Sequence, residues 1–86
     1  MKITFTSHAK RRMRERGLTL KEVRSFITQP DSIEPSTKSP RRFLVKKRYH
    51  HRSFRKLHLL MVVCEQEADM MVVVTVIDTS QVKKYI

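Results

Sequence analysis

One glycine, one cysteine, three prolines and no tryptophan leave this 86-residue sequence with few of the residues on which familiar sites are built. The lone Gly17 rules out a glycine-rich phosphate loop of known type. A single Cys64 excludes an internal disulfide and suits a reducing interior. With no CxxC pair and no matching carboxylates, the sequence also argues against a zinc site. Cys64 sits in LLMVVCE, where an inert buried thiol is expected. Long apolar runs are missing too: LLMVVC and MMVVVTVI fall far short of the roughly 20 residues needed to span a bilayer. MKITFTSHAKRR has no apolar stretch after its lysine, so no signal peptide is read there. A soluble, cytoplasmic protein is the expectation.

Acid is scarce as well. Eight Asp and Glu face 19 Lys and Arg, for a formal charge of +11, and no acid occurs from Pro35 to Cys64. That interval holds Lys38, Arg41, Arg42, Lys46, Lys47, Arg48, Arg52, Arg55 and Lys56. Such a field attracts polyanions, nucleic acid above all, through neutralised phosphates and released counterions. A membrane surface fits less well, because no helix pairs a basic face with bulky apolar anchors.

What is present reads as one folded domain, 1–86, because 40% of the residues are hydrophobic and apolar residues recur with clear periods. KITF alternates as a short strand. Thr6 or Ser7 can cap a helix over 8–16, with Gly17 at its C-terminal end. Thr19 and Glu22 form a capping box for a second helix, with Leu18 and Val23 as a hydrophobic staple. That helix carries Leu20, Val23, Phe26 and Ile27 on one stripe and stops at Pro30. DSIEPSTKSP is turn-rich, with a short strand around 32–34. RRFLVKKRY then reads as a strand with Phe43, Val45, Lys47 and Tyr49 on one face, and HHRS as a turn. FRKLHLLMVVCEQ and EADMMVVVTVIDT follow as two strands joined by a hairpin near 66–69. In the last, strict alternation sets Met71, Val73 and Ile77 against Val72, Val74 and Val76, apolar on both faces and so interior to the sheet. SQVKKYI is a short tail. The order β-α-α-β-β-β-β predicts an α+β fold: two N-terminal helices packed on one face of a twisted antiparallel sheet, the other face left for basic side chains.

The most informative stretch is SHAKRRMRERG. On a helix, residues four apart share a face, so His8, Arg12 and Arg16 form one row and Ala9 and Met13 a neighbouring apolar row. Lys10, Arg11 and Arg14 face solvent. Cations at i,i+4 repel, so Arg12 and Arg16 call for an anion or a buried acid. Histidine is the natural proton carrier, and arginine stabilises phosphate charge without ever serving as a base. Elsewhere, His50 and His51 are adjacent and in a strand would face opposite sides. His58 alternates with Leu57 and Leu59 and reads as a satisfied, partly buried histidine rather than a catalytic one.

HAKRRMRERGLTLKEV, followed by QPDSIEP and ending in VVVTVID, resembles a family of small domains. They open with His-Ala-x-x-Arg-x-x-x-Arg-Gly, continue with a capped helix and close on a Val-Val-Thr-Val strand. That family is similar to the RelE-like ribonuclease toxins and, more broadly, to the barnase, colicin and RelE group of metal-independent ribonucleases. The resemblance implies a RelE-like domain that cleaves RNA without metal or cofactor. His8 would then act as acid or base, with Arg12 and Arg16 on the phosphate. RNA, including ribosome-associated mRNA, would be bound by Arg11, Lys46, Arg48, Arg55, Lys56 and Tyr85. An acidic antitoxin would cover the basic face. The alternative is a non-catalytic nucleic-acid- or ribosome-binding module on the same scaffold.

Overall fold

The computed structural model describes residues 2–51 and 55–85. Eight elements follow in order: β1 (Lys2–Phe5), α1 (Ser7–Glu15), α2 (Leu20–Thr28), β2 (Ser32–Pro35), β3 (Arg42–His51), β4 (Lys56–Glu67), β5 (Met70–Thr79) and α3 (Val82–Tyr85). The strands form one sheet in the order β1-β5-β4-β3-β2. α1 and α2 cover one face, and α3 packs against β4.

The two long helices begin and end on side-chain chemistry. Thr6, not Ser7, caps α1, accepting from the Ala9 amide at 3.1 Å. Arg16, expected as the last helical residue, is the C-cap. Gly17 follows with a φ of +69°, a left-handed conformation that other residues adopt at a cost. Its amide bonds to the Arg14 carbonyl and the Leu18 amide to that of Met13, closing a Schellman motif. Thr19 and Glu22 then form the full capping box of α2, and Leu18 and Val23 are both buried. Ala9, Met13, Leu18, Val23 and Ile27 pack on Val45, Leu60, Val62, Cys64 and Val73 to make the core.

Three expectations need correction. The sheet is mixed rather than antiparallel, because β1 runs parallel to β5, Lys2 to Phe5 pairing with Met70 to Val73. This direction lets the chain turn at Thr6 and lay α1 along the rest of β5; an antiparallel β1 would launch the helix off the opposite end. His50 and His51 belong to β3 and not to the expected HHRS turn, whose other two residues, 52–53, lie outside the described residues. The tail, whose structure the sequence left open, forms a helical turn over Val82–Tyr85. And the face away from α1 and α2 is not simply basic: Lys46 and Arg48 share it with Leu59 and Met61, which are buried.

A bulge interrupts the β4–β5 ladder. Val63 pairs with Thr75 and Cys64 with Val73, so Val74 has no partner. Its carbonyl instead accepts from the Thr6 hydroxyl at 2.8 Å, while the Thr6 amide donates to Val73. One threonine thus caps α1 and fastens the bulge. The extra residue reverses the strict alternation expected for β5. Met71 and Val73 are buried, but beyond the bulge Val76 and Asp78 take the inner positions and Ile77 is 39% exposed. Among the described residues no helix is long and apolar enough to cross a membrane.

Candidate functional site

The bulge brings a carboxylate inside. Tyr49 of β3 pairs with His58 of β4, and Asp78 of β5 pairs with Leu60, one inward position along from His58. His58 Nδ1 lies 3.0 Å from Asp78 Oδ2, with 8% and 1% of the two side chains exposed. The Tyr49 hydroxyl donates to Asp78 Oδ1 at 2.5 Å. Both carboxylate oxygens therefore have partners, as a buried charge requires. Burial pushes the Tyr49 phenol far above its ordinary range, reinforced by its hydrogen bond to Asp78 and by the charges of Asp78 and Glu22.

His51 completes the cluster. It follows Tyr49 by two residues and so shares its face. Its ring lies 5.0 Å from that of His58 and 5.9 Å from that of Tyr49. Its Nε2 donates to the Arg16 carbonyl at 2.8 Å, tying the end of α1 to β3. Phe26 of α2 packs on Tyr49 at 5.1 Å from the other side.

The cluster opens on a pocket of about 410 Å³ lined by Arg16, Lys56, His58, Asp78, Thr79, Ser80 and Gln81. Two exposed cations thus stand beside a histidine held by a carboxylate, with hydroxyl and amide donors completing the wall. Such a set can hold an oxyanion and offer it a proton carrier. Among the described residues no group of three or more His, Cys, Asp or Glu is placed to hold a metal ion.

Of the residues singled out in the sequence, Arg16 and Lys56 meet at this pocket. His8 and Arg12 do not. His8 is exposed at the far end of α1, its Nδ1 accepting from Arg11 at 3.3 Å. Arg12 is part-exposed and 3.7 Å from Glu15. Arg55 is exposed in the chain reversal leading into β4.

Lys46 and Arg48 belong to a different place, a depression of about 220 Å³ shared with Asp31, Ser32, Glu34 and Leu59. Both are compensated there. Lys46 Nζ donates to Glu34 at 3.2 Å and to the Tyr85 carbonyl at 2.7 Å. Asp31 accepts from the Arg48 amide at 2.7 Å and lies 3.7 Å from Lys47. The Arg48 amide, above all, keeps the Asp31 carboxyl below its ordinary range. Tyr85 contributes its carbonyl, and its ring lies under Lys84. Lys46, Lys47 and Arg48 thus take their counter-charges from the segment just before the acid-free stretch, whereas Arg42 takes its own from Glu65, just after it, at 2.9 Å.

Three residues of the cluster escaped the sequence reading. His51 carried a signal, since it continues the face of Phe43, Val45, Lys47 and Tyr49 by one step. Asp78, an acid closing the apolar run VVVTVI, carried a weaker one. Strict alternation sets Asp78 on the face opposite Met71, Val73 and Ile77, so its link to Tyr49 was not visible.

Residues 5–78 match the family described as a domain of unknown function, DUF4258. The chain belongs to the DUF4258 family. The span that matches DUF4258 takes in α1, α2 and the whole Tyr49–Asp78–His58 cluster, and ends at Asp78. Neither the curated proteins nor the solved structures contain a match to the chain.

Proposed function

We propose that this DUF4258 protein is a small RNA-directed protein that cleaves RNA without a metal ion, in the manner of a RelE-like toxin held in check by an acidic partner. The observation that carries this reading is the Asp78-held His58 beside Arg16 and Lys56 in one pocket. In the reaction, the ribose 2′-oxygen attacks the adjacent phosphorus and gives up its proton to a base. The bond from phosphorus to the 5′-oxygen breaks, that oxygen takes a proton, and a 2′,3′-cyclic phosphate remains. His58 carries the proton, and Arg16 and Lys56 stabilise the charge on the phosphorane. His58 replaces His8 in the acid/base role, because Arg16 and His58 line the same pocket while His8 sits about 12 Å along the helix axis from Arg16. Two helices on one face of a sheet support the RelE-like part of the reading, and the charge of +11 supports both RNA and an acidic partner.

The test is cleavage of single-stranded RNA, free or on ribosomes, in excess chelator. Wild type should cut, and His58→Ala and Arg16→Ala, checked for folding by circular dichroism, should lose about 10²–10⁴-fold in rate. An inert wild type sinks the enzyme. The depth of His58, 6% exposed, favours a second reading in which the pocket binds a phosphate group and does not cut. Salt-dependent RNA binding without cleavage is its signature.

A further inference from the structure

The residues leading away from the pocket are unusually one-sided. From Lys2 to Gly17 the chain has six cations and a single acid, Glu15. His8, Arg12 and Arg16 succeed one another along α1 at about 6 Å per step. Because four residues overshoot a turn by about 40°, this row winds around the helix as it advances. It begins at exposed His8, passes part-exposed Arg12, and ends at Arg16 on the rim of the pocket. The repulsion along it has little relief. Arg12 has Glu15 at 3.7 Å, a pair whose side chains are 35% and 55% exposed and which contributes little. No carboxylate among the described residues lies within ion-pair distance of Arg16, and the nearby buried acid, Asp78, is occupied by Tyr49 and His58.

We infer that this row is a rail for the backbone of single-stranded RNA, delivering one phosphate to the pocket at Arg16 while Arg12 and His8 hold the next ones out. The inference rests on the RNA reading above and gives it a substrate form: an extended strand. The step of the row suits successive phosphates of such a strand. Arg12 and His8 then bind and do not catalyse.

The experiment uses the wild-type protein and a fluorescent 2′-O-methylated oligouridylate, which lacks the attacking hydroxyl and cannot be cut. Each phosphate neutralised adds about −0.7 to the slope of log K against log salt. Arg12→Gln should reduce the slope by about that amount and weaken binding about fivefold near 0.1 M salt. Arg16→Gln should do the same. Glu15→Gln, which frees Arg12, should tighten binding. Uridine monophosphate reaches the pocket alone, so its affinity should fall with Arg16→Gln and stay unchanged with Arg12→Gln. Lys38→Gln, off the row, is the control.

If Arg12→Gln leaves the slope for the oligomer where it was, the rail is overturned. It is equally overturned if duplex RNA or an acidic peptide binds as tightly as the single strand. Cleavage of unmodified RNA by the same preparations is scored separately, so loss of the enzyme and loss of the rail are distinct outcomes.

Discussion

Asp78 has 1% of its side chain exposed and is bonded on both oxygens, so each partner bears on the stability of a buried charge. Asp78→Asn should cost about 3–5 kcal/mol, the usual penalty for breaking a buried pair by removing one member. Tyr49→Phe removes one hydrogen bond to a charged group and should cost about 1.5–3 kcal/mol. Urea unfolding of both variants measures this, and a loss under about 0.5 kcal/mol for either would contradict the arrangement. Cys64 gives a sharper contrast. Burial pushes its thiol up to about 12, so thiol reagents at about pH 8 should leave the native protein unmodified and label it fully in urea. The burial of Cys64 was legible from its apolar neighbours, and so was the satisfied state of His58. What satisfies His58 was not, because its partner lies 20 residues away across a ladder whose register is a tertiary property.

Helix ends were the most legible elements, since caps are local chemistry: Thr6, Gly17, Thr19 and Glu22 do in the structure what their spacing predicts. Thr6 does more. Thr6→Val removes both the cap of α1 and the bond to the bulged carbonyl, and should lower stability by about 2 kcal/mol. A cap alone is worth about 1 kcal/mol, which is what Thr19→Ala should cost; equal losses in the two variants would mean the bulge bond contributes nothing. The residue that leads into β2, Asp31, carries a pH dependence. The folded-state carboxyl of Asp31 titrates below its ordinary range, so its contribution is complete above about pH 4 and is lost as pH falls through the lower folded value. Asp31→Asn should therefore lower the urea midpoint near pH 7 and make its decline below about pH 4 shallower. A decline as steep as wild type would assign acid sensitivity to other carboxylates.

At the scale of the whole molecule, the composition fixes a field and the topology decides where it is spent. The order of the first seven elements and the placing of α1 and α2 on one face followed from hydrophobic periods, which are read within a few residues; α3 did not. The parallel β1 and the bulge did not, because strand pairing joins positions up to 68 residues apart. The charge was legible in sum but not in distribution: Lys46, Lys47 and Arg48 are answered by Asp31 and Glu34, whereas no carboxylate among the described residues lies within ion-pair distance of Arg16. A polyanion that binds the native state alone should raise the melting temperature. A single-stranded oligoribonucleotide is expected to do so at low salt, with the shift shrinking as salt is added; a shift insensitive to salt would point away from phosphate contacts.

The unpaired Val74 carries a consequence for how this chain can vary. Inner and outer positions at the end of β5 are assigned by counting from the hairpin, and the count includes one extra residue. Were Val74 kept but absorbed into a regular ladder, strict alternation would turn Ile77 inward and Asp78 out. Deleting Val74 has the opposite outcome: Val73 and Thr75 become neighbours in a regular ladder, Ile77 stays outward and Asp78 inward, and the carbonyl that accepts from Thr6 is lost. The polar cluster thus survives loss of the extra residue but not its absorption into the ladder.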